Sequence, residues 1–192
     1  VFRRARLPLA FSQGFHPKPR MSFPLALALG IEGRDEVLEL ELSEALSGEE
    51  ILVRLAQHTI PGLQFLSVEV LPPGTGKARV ERVAYEIFVP EDRLDIVQAR
   101  IEELCHRSEL VLAKPGRSSP RDYRSQLEDL CLQNNRLRMT IRIDPQGSLH
   151  PREVLGLLGL NDLETDGYFL VRANVELVPE RSHSQEGGQT AS

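Results

Sequence analysis

The stretch PLALALGIEGRDEVLELEL, residues 24–42, determines the predicted fold because it contains two runs with the periodicity of strands. In residues 25–31 leucine or isoleucine alternates with alanine or glycine, and in residues 38–42 leucine alternates with glutamate. Alternating side chains lie on opposite faces of a strand. We therefore predict an antiparallel pair of strands from these two runs.

A helix and a further strand are predicted after this pair. Ser47 and Glu50 have the spacing of a capping box, and the helix that they begin ends before Pro61. Residues 64–71 then predict a strand, and residues 1–6 have the pattern of the last turns of an amphipathic helix. One strand before Val1 would complete a βαββαβ unit, so the first half is predicted to lack its opening strand and most of its first helix.

The strand periodicity returns in the second half of the chain. Residues 83–89 alternate as a strand does, and apolar residues at helical spacing over 94–105 predict a helix that covers one face of a sheet. Residues 110–113 predict a short strand after the helix.

The segment after this helix allows two interpretations. Residues 123–131 fit a helix, or one turn followed by a strand that passes through an Asn-Asn turn at 134–135 into a strand over 137–143. We favour the turn and strand. A helix that begins at Pro151 and a strand over 169–177 complete the half, because proline is tolerated in the first turn of a helix.

The predicted fold class is therefore α+β, with two tandem ferredoxin-like (βαββαβ) halves. The halves cover residues 1–72 and 83–179, and a linker rich in proline and glycine covers 73–82. Residues 180–192 are predicted to be a disordered tail, because they carry almost no large apolar side chains that could offset the entropy of ordering.

Composition excludes several classes of protein. The 192 residues are 41% hydrophobic and carry a formal net charge of -5, which argues weakly against binding a polyanion over the whole surface. No apolar run approaches the roughly 20 residues of a membrane-spanning helix, so no membrane association is predicted. Two cysteines without a secretory signal predict a reduced, cytoplasmic protein with free thiols.

The least generic stretch is SQGFHPKPRMSF, residues 12–23. Glycine permits a turn there, two prolines hold the chain extended, and basic side chains stand at alternate positions among phenylalanines. Residues 1–20 contain five arginines and lysines and no acidic residue, whereas residues 32–50 are strongly acidic. We predict a site for an anion or a partner, with these candidate residues: Ser12, Gly14, Phe15, His16, Lys18 and Arg20.

The competing interpretation of this loop is structural. Its prolines would then serve only to shape the turn, and its basic groups would pair with nearby carboxylates. A possible secondary basic site involves Arg124 and Arg138, the second of which lies on the polar face of a predicted strand. That face lacks the aromatic residues on which RNA-binding sheets stack bases, so a solvated face is the better interpretation.

Catalytic and metal sites find no support in the sequence. Gly76 and Lys77 suggest a phosphate-binding loop, but Leu71 and Ala78 stand where its motif needs glycine and serine or threonine. The two cysteines have neither the spacing nor the number for a zinc ribbon or an iron-sulfur cluster. We predict no catalytic residue and no metal site in this chain.

Three stretches carry a resemblance to a known family: LPLAFSQGFHPKPRMSF at 7–23, PLALALGIEG at 24–33 and DEVLELEL at 35–42. Weaker similarity continues at LRMTIRI, 137–143, and PREVLGLLGL, 151–160. The chain resembles the radical SAM-associated protein family of unknown function. This domain is found fused after a radical SAM domain or encoded beside one, and the resemblance implies that the chain is truncated at its N terminus.

The resemblance implies a context and no reaction. S-adenosylmethionine and an iron-sulfur cluster would belong to a partner or an upstream domain, and this chain would hold no cofactor. The leading hypothesis is a noncatalytic accessory or C-terminal domain that positions substrate for a radical SAM enzyme or docks on it. The alternative is an RNA-binding module of the tandem ferredoxin-like type.

The loop carries the most specific expectation. His16, Lys18 and Arg20 are predicted to converge with Ser12 and the Gly14 backbone on one side of the first sheet, beside the acidic strand that contains Glu39 and Glu41. The two prolines restrict the backbone, so little ordering entropy would remain to be lost on binding.

Overall fold

A computed structural model describes residues 1–114 and 119–178, and the predicted tail at 180–192 lies outside these residues. The chain forms two compact units. Unit 1 consists of Val1–Ala26 and Val37–Ala78, and unit 2 consists of Leu27–Glu36 and the described residues from Arg79 onward. The mixed α+β class is confirmed.

The helices and strands of the described residues are named here in chain order. They are β1 (Met21–Ser22), β2 (Glu32–Gly33), β3 (Glu39–Leu40), α1 (Gly48–Ala56), β4 (Val80–Phe88), α2 (Leu94–His106), β5 (Val111–Leu112), β6 (Arg121–Asp122), β7 (Leu127–Gln133), β8 (Arg136–Arg142), α3 (Pro151–Leu157) and β9 (Val171–Leu177). Short 3-10 turns precede α2 and β7.

Unit 2 is built on a five-stranded sheet with the spatial order β2-β9-β4-β8-β7. Strand β4 lies between β9 and β8 and is antiparallel to both. Its alternating residues Val83, Tyr85 and Ile87 are buried, as the period of two predicts. Strand β4 begins at Val80, inside the predicted linker.

The turn between β7 and β8 confirms the favoured interpretation of residues 123–143. Asn134 and Asn135 have φ angles of 50° and 59°, the left-handed values that a two-residue hairpin turn of type I′ requires at both central positions. A 3-10 turn over Arg124–Gln126 precedes β7, so the helical alternative is wrong.

Both predicted helices of unit 2 are confirmed. Helix α2 buries Val97, Ile101 and Leu104. At the start of α3, the His150 side chain accepts a hydrogen bond from the Arg152 backbone N–H. The His150 backbone N–H in turn donates to the carboxylate of Glu153, the third helical residue. This arrangement is a capping box with an imidazole in place of the usual hydroxyl.

The predicted antiparallel pairing of 25–31 with 38–42 is wrong. Leu29 is 97% exposed, and within residues 25–33 a strand forms only at β2, which pairs in parallel with β9 of the same unit. An ion pair holds this segment in unit 2: the Arg172 guanidinium, 1% exposed, donates to both carboxylate oxygens of Glu36. The local alternation of leucines carries no information about a partner so distant in sequence.

Unit 1 has short strands and a small core. β1 pairs with β3, and Leu9 bridges Leu42 in the same antiparallel sense. The predicted strand over 64–71 is wrong, because the described chain has no strand ladder there and Leu66 and Val70 face solvent. The predicted ferredoxin-like set of strands therefore does not form in unit 1.

Two helical ends contribute the core of unit 1. Ser47 accepts a hydrogen bond from the Glu50 N–H and caps α1, as predicted. Residues 1–7 have the hydrogen bonds of a helix C terminus, from the Arg6 N–H to the Arg3 carbonyl and from the Leu7 N–H to the Phe2 carbonyl. The buried core cluster consists of Ala5, Leu7, Ile51 and Leu55.

Candidate functional site: the hairpin of residues 10–20

The loop predicted to be functional is a closed hairpin in unit 1. Phe11 forms an antiparallel bridge with Pro19. The Ser12 N–H donates to the Lys18 carbonyl at 2.8 Å, and the Lys18 N–H donates to the Ser12 hydroxyl at 3.0 Å. The Arg20 N–H donates to the Ala10 carbonyl at 2.8 Å. Residues 13–17 form the tip of this hairpin.

The tip exposes an aromatic pair. Gly14 has a φ angle of 132°, which L side chains rarely adopt, so the turn requires glycine. The Phe15 ring is 96% exposed and meets the His16 ring edge to face, with the centroids 5.1 Å apart. An apolar ring held in water by a fixed turn is available to contact another molecule.

Arg20 points to a carboxylate and away from the tip. Its Nη1 lies 3.0 Å from both carboxylate oxygens of Glu41. Glu39 accepts hydrogen bonds from the Ser22 hydroxyl at 2.9 Å and from the Ala78 N–H at 2.8 Å. The acidic strand therefore neutralises Arg20 and fixes the base of the hairpin. The structure brings Ser12 and Lys18 together and His16 to Phe15, while Arg20 is engaged at the base.

The secondary candidate Arg124 has a structural position. Its guanidinium donates to three backbone carbonyls, those of Cys105, Arg107 and Leu127, at 2.9 to 3.3 Å. Carbonyls at the C terminus of a helix lack intrahelical partners, and Arg124 satisfies two of them at the end of α2. This use of its donors explains the residue without a ligand.

Arg138 lies on the polar face of the sheet, where acidic neighbours balance the positive charge. Its Nε lies 3.0 Å from Glu86, and Arg142 contacts Glu128 at 2.5 Å. Arg82 lies near three carboxylates, and its hydrogen bond to Glu81 contributes most to raising its pKa. Basic and acidic side chains are therefore paired on this face, which we call zwitterionic, and this pairing weakens its attraction for polyanions.

Sequence reasoning missed the extent of the apolar surface around the hairpin. Phe11 is 51% exposed, Met21 41% and Phe23 58%, which adds to the exposed ring of Phe15. Their clustering in residues 11–23 could be read from the sequence, but the alternation did not distinguish side chains that face a core from side chains that face water.

Within residues 1–114 and 119–178, no group of three or more His, Cys, Asp or Glu side chains is arranged to hold a metal ion. No helix in these ranges has the length and apolar character needed to cross a bilayer.

Comparison with known proteins places this hairpin in a family. Residues 1–151 match the family described as an uncharacterised protein conserved in bacteria, DUF2344. The chain belongs to DUF2344. The matched range includes the whole hairpin and most of both units, so the hairpin is part of the DUF2344 domain. No curated protein and no solved structure matches the chain.

Proposed function

We propose that this DUF2344 chain is a noncatalytic accessory domain that docks on a radical SAM domain or protein through the hairpin of residues 10–20. The observation that carries the proposal is the fully exposed Phe15 ring on a tip closed by backbone hydrogen bonds. The identity of the partner rests on the resemblance of residues 7–42 to the radical SAM-associated family.

The energetics favour an anchor at this tip. Aromatic anchors contribute much of the binding energy of interfaces, because they bury a large apolar area and have few rotamers to lose. The backbone bonds between Ser12 and Lys18 already order the tip, so binding costs little further entropy. His16 and Lys18 beside Phe15 suit a partner pocket that is apolar at its centre and acidic at its rim.

The number of cysteines decides which protein would hold the iron-sulfur cluster. A radical SAM cluster takes cysteine thiolates, and the chain has two cysteines, which is too few. We therefore assign the iron-sulfur cluster and S-adenosylmethionine to the partner. The role of this chain is to hold its partner, or the partner's substrate, in position.

The test measures binding between the chain and the radical SAM protein encoded beside it or fused to it. Phe15→Ser should weaken the affinity about tenfold or more, since truncating a hot-spot side chain costs about 2 kcal/mol or more and tenfold corresponds to about 1.4 kcal/mol. Phe169→Ser is the matched control, because Phe169 is 66% exposed and lies in unit 2. Equal effects of the two substitutions, or no binding by the unaltered chain, would overturn the proposal. Anaerobic cleavage of S-adenosylmethionine by this chain alone would overturn the noncatalytic assignment.

RNA binding is the second candidate, and the tip again carries it. An exposed ring beside His16 and Lys18 combines a stacking surface with a phosphate contact.

We also propose that unit 2 contains a ferredoxin-like fold, formed by β4, α2, β7, β8, α3 and β9. Their order along the chain is βαββαβ, and β4 lies between β8 and β9 in the sheet. The zwitterionic polar face of that sheet makes the hairpin the better RNA contact.

Salt dependence separates the two candidates. Filter binding to tRNA and rRNA at 50 mM and 200 mM salt should show affinity that falls steeply with salt if phosphates are contacted. A protein-docking domain should retain only weak background binding at both concentrations. Loss of that RNA binding in Phe15→Ser would favour RNA as the ligand of the tip.

A further inference from the structure

A second feature of unit 1 is a shallow cavity of about 450 Å³ with a cationic lining. Its walls are formed by Arg4, Ala5, Arg6, Arg54 and His58. Such a volume lies within the range of small-molecule sites, roughly 300 to 1,000 Å³. The cavity is separate from the hairpin residues, and nothing in the hairpin argument uses it.

The arginines of this cavity differ from most others in the chain. Most described arginines form ion pairs, and Arg152 with Glu164 and Arg121 with Asp144 are typical. The Arg4 and Arg6 side chains are exposed and make no ion pair or hydrogen bond with any described residue. A bound anion would supply these two guanidinium groups with a counterion that the described residues do not provide.

Local backbone structure places these groups around one concavity. Arg6 ends the first turn in a left-handed conformation with a φ of 51°, and its carbonyl accepts a hydrogen bond from Arg54 Nη1 at 3.3 Å. This bond ties α1 to the N-terminal turn. The His58 Nδ1 lies 3.1 Å from the Arg54 carbonyl, and this contact places the imidazole beside Arg54 at the wall of the cavity.

The charge balance of the lining is positive. The Glu50 carboxylate lies 2.5 Å from Arg54 Nη2 and offsets one guanidinium. Arg4 and Arg6 have no such counterion among the described residues, and Arg54 keeps part of its donor fork after its two contacts. Several guanidinium forks around one concavity match the tetrahedral oxygens of a phosphate group better than a planar carboxylate.

We propose that Arg4, Arg6, Arg54 and His58 form a binding site for a phosphate or diphosphate group of a small molecule. The cavity is larger than a phosphate group, so the rest of a phosphorylated compound has room beside it. A shallow concavity confined to these residues favours such a compound over an extended strand, which needs a continuous groove to follow its backbone.

The test is calorimetric titration of the full chain with inorganic phosphate and with pyrophosphate at constant ionic strength, using chloride as the reference anion. Saturable binding of either anion is expected. The double substitution Arg4→Gln with Arg6→Gln should weaken it at least tenfold. Both side chains are exposed, so the fold should survive, and circular dichroism checks this.

The matched control is Arg79→Gln with Arg136→Gln, since both of these arginines are exposed and likewise unpaired among the described residues. It should change the affinity less than twofold. Binding that does not saturate, or that both double variants weaken equally, would overturn the site. RNA binding through these arginines without binding of phosphate or pyrophosphate would also overturn it, in favour of a polymer ligand. Phe15→Ser should leave anion binding unchanged, so this site and the docking hairpin can fail separately.

Discussion

Unit 1 and unit 2 differ in the surroundings of their arginine and phenylalanine side chains. In unit 2 the strands β4 and β8 pair over seven residues, and arginines such as Arg82, Arg138 and Arg152 are matched with carboxylates. In unit 1 the paired strands are two residues long, and Arg4 and Arg6 have no such partner among the described residues. Three exposed phenylalanines, Phe11, Phe15 and Phe23, lie in the hairpin of unit 1 or just after it.

The difference concerns which groups each unit offers to a ligand. In unit 2 the sheet satisfies the backbone groups of its strands, and many of its charged side chains form ion pairs. Unit 1 is stabilised by a small core and presents both its aromatic tip and its cationic cavity to solvent. Loops positioned by a more regular scaffold are a common place for binding residues.

The largest effect is expected from breaking the ion pair between Glu36 and Arg172, which holds residues 27–36 in unit 2. Glu36→Gln should lower the free energy of unfolding by about 3 kcal/mol, because it removes the carboxylate that pairs with the buried Arg172 guanidinium. Urea denaturation measures this. Glu32→Gln is the control, since Glu32 is mostly exposed and lies 3.7 Å from Arg34, and it should cost less than about 0.5 kcal/mol. Similar losses for both variants would show that the buried pair is not special.

A core substitution tests whether unit 1 depends on its small cluster. Leu55 is 2% exposed, and Leu55→Ala should cost about 2 kcal/mol, the low end for such changes because the surrounding residues are only partly buried. Hydrogen exchange should show faster exchange in α1 while the amides of β4 and β8 remain protected. Val53→Ala, on the exposed face of the same helix, should change neither. Equal loosening of β4 would contradict separate stabilisation of the two units.

The smallest expected effect uses pH to distinguish the helix caps of the two units. Burial first, and then the nearby Arg152 charge, lowers the pKa of His150. Because the folded state disfavours the protonated ring, stability is fully present above the ordinary histidine pKa of about 6.5 and declines as pH falls below it. Protonation would also remove the acceptor that caps α3. Ser47, which caps α1, has no such titration.

Denaturation at pH 7.5 and pH 5.0 measures this effect. His150→Asn should keep the cap, because asparagine is among the best N-cap residues, and should reduce the loss of stability at pH 5.0. Ser47→Asn is the matched control in α1 and should leave the pH dependence as it is. An unchanged pH dependence in His150→Asn would assign the acid sensitivity to other groups.

Local chemistry predicted much of unit 2. Asn134 and Asn135 tolerate positive φ, and Pro151 suits the first turn of a helix, so each marks its element without knowledge of the rest of the chain. The predicted pairing of residues 25–31 was wrong for a physical reason. The position of residues 27–36 depends on the ion pair between Glu36 and Arg172, which are 136 positions apart. The alternation of apolar residues within a short segment contains no information about a partner so far away in the sequence.

The candidate site shows the same limit. The Gly14 turn and the exposure of charged residues in the loop follow from residue type. The pairing of Arg20 with Glu41, and the approach of Arg54 to the Arg6 carbonyl, depend on which elements meet in unit 1. Sequence reasoning therefore located the hairpin and missed the cavity.

The parallel pairing of β2 with β9 has a consequence for how the protein is made. At roughly 5 to 20 residues per second, the 136 residues between Glu36 and Arg172 take the ribosome roughly 7 to 27 seconds to add. During that interval the Glu36 carboxylate and the β2 edge have emerged without the strand and the guanidinium that complete them. The sheet of unit 2 can therefore add β2 only after β9 has been made, and a nascent chain that stops before β9 leaves both groups open to chaperones and proteases.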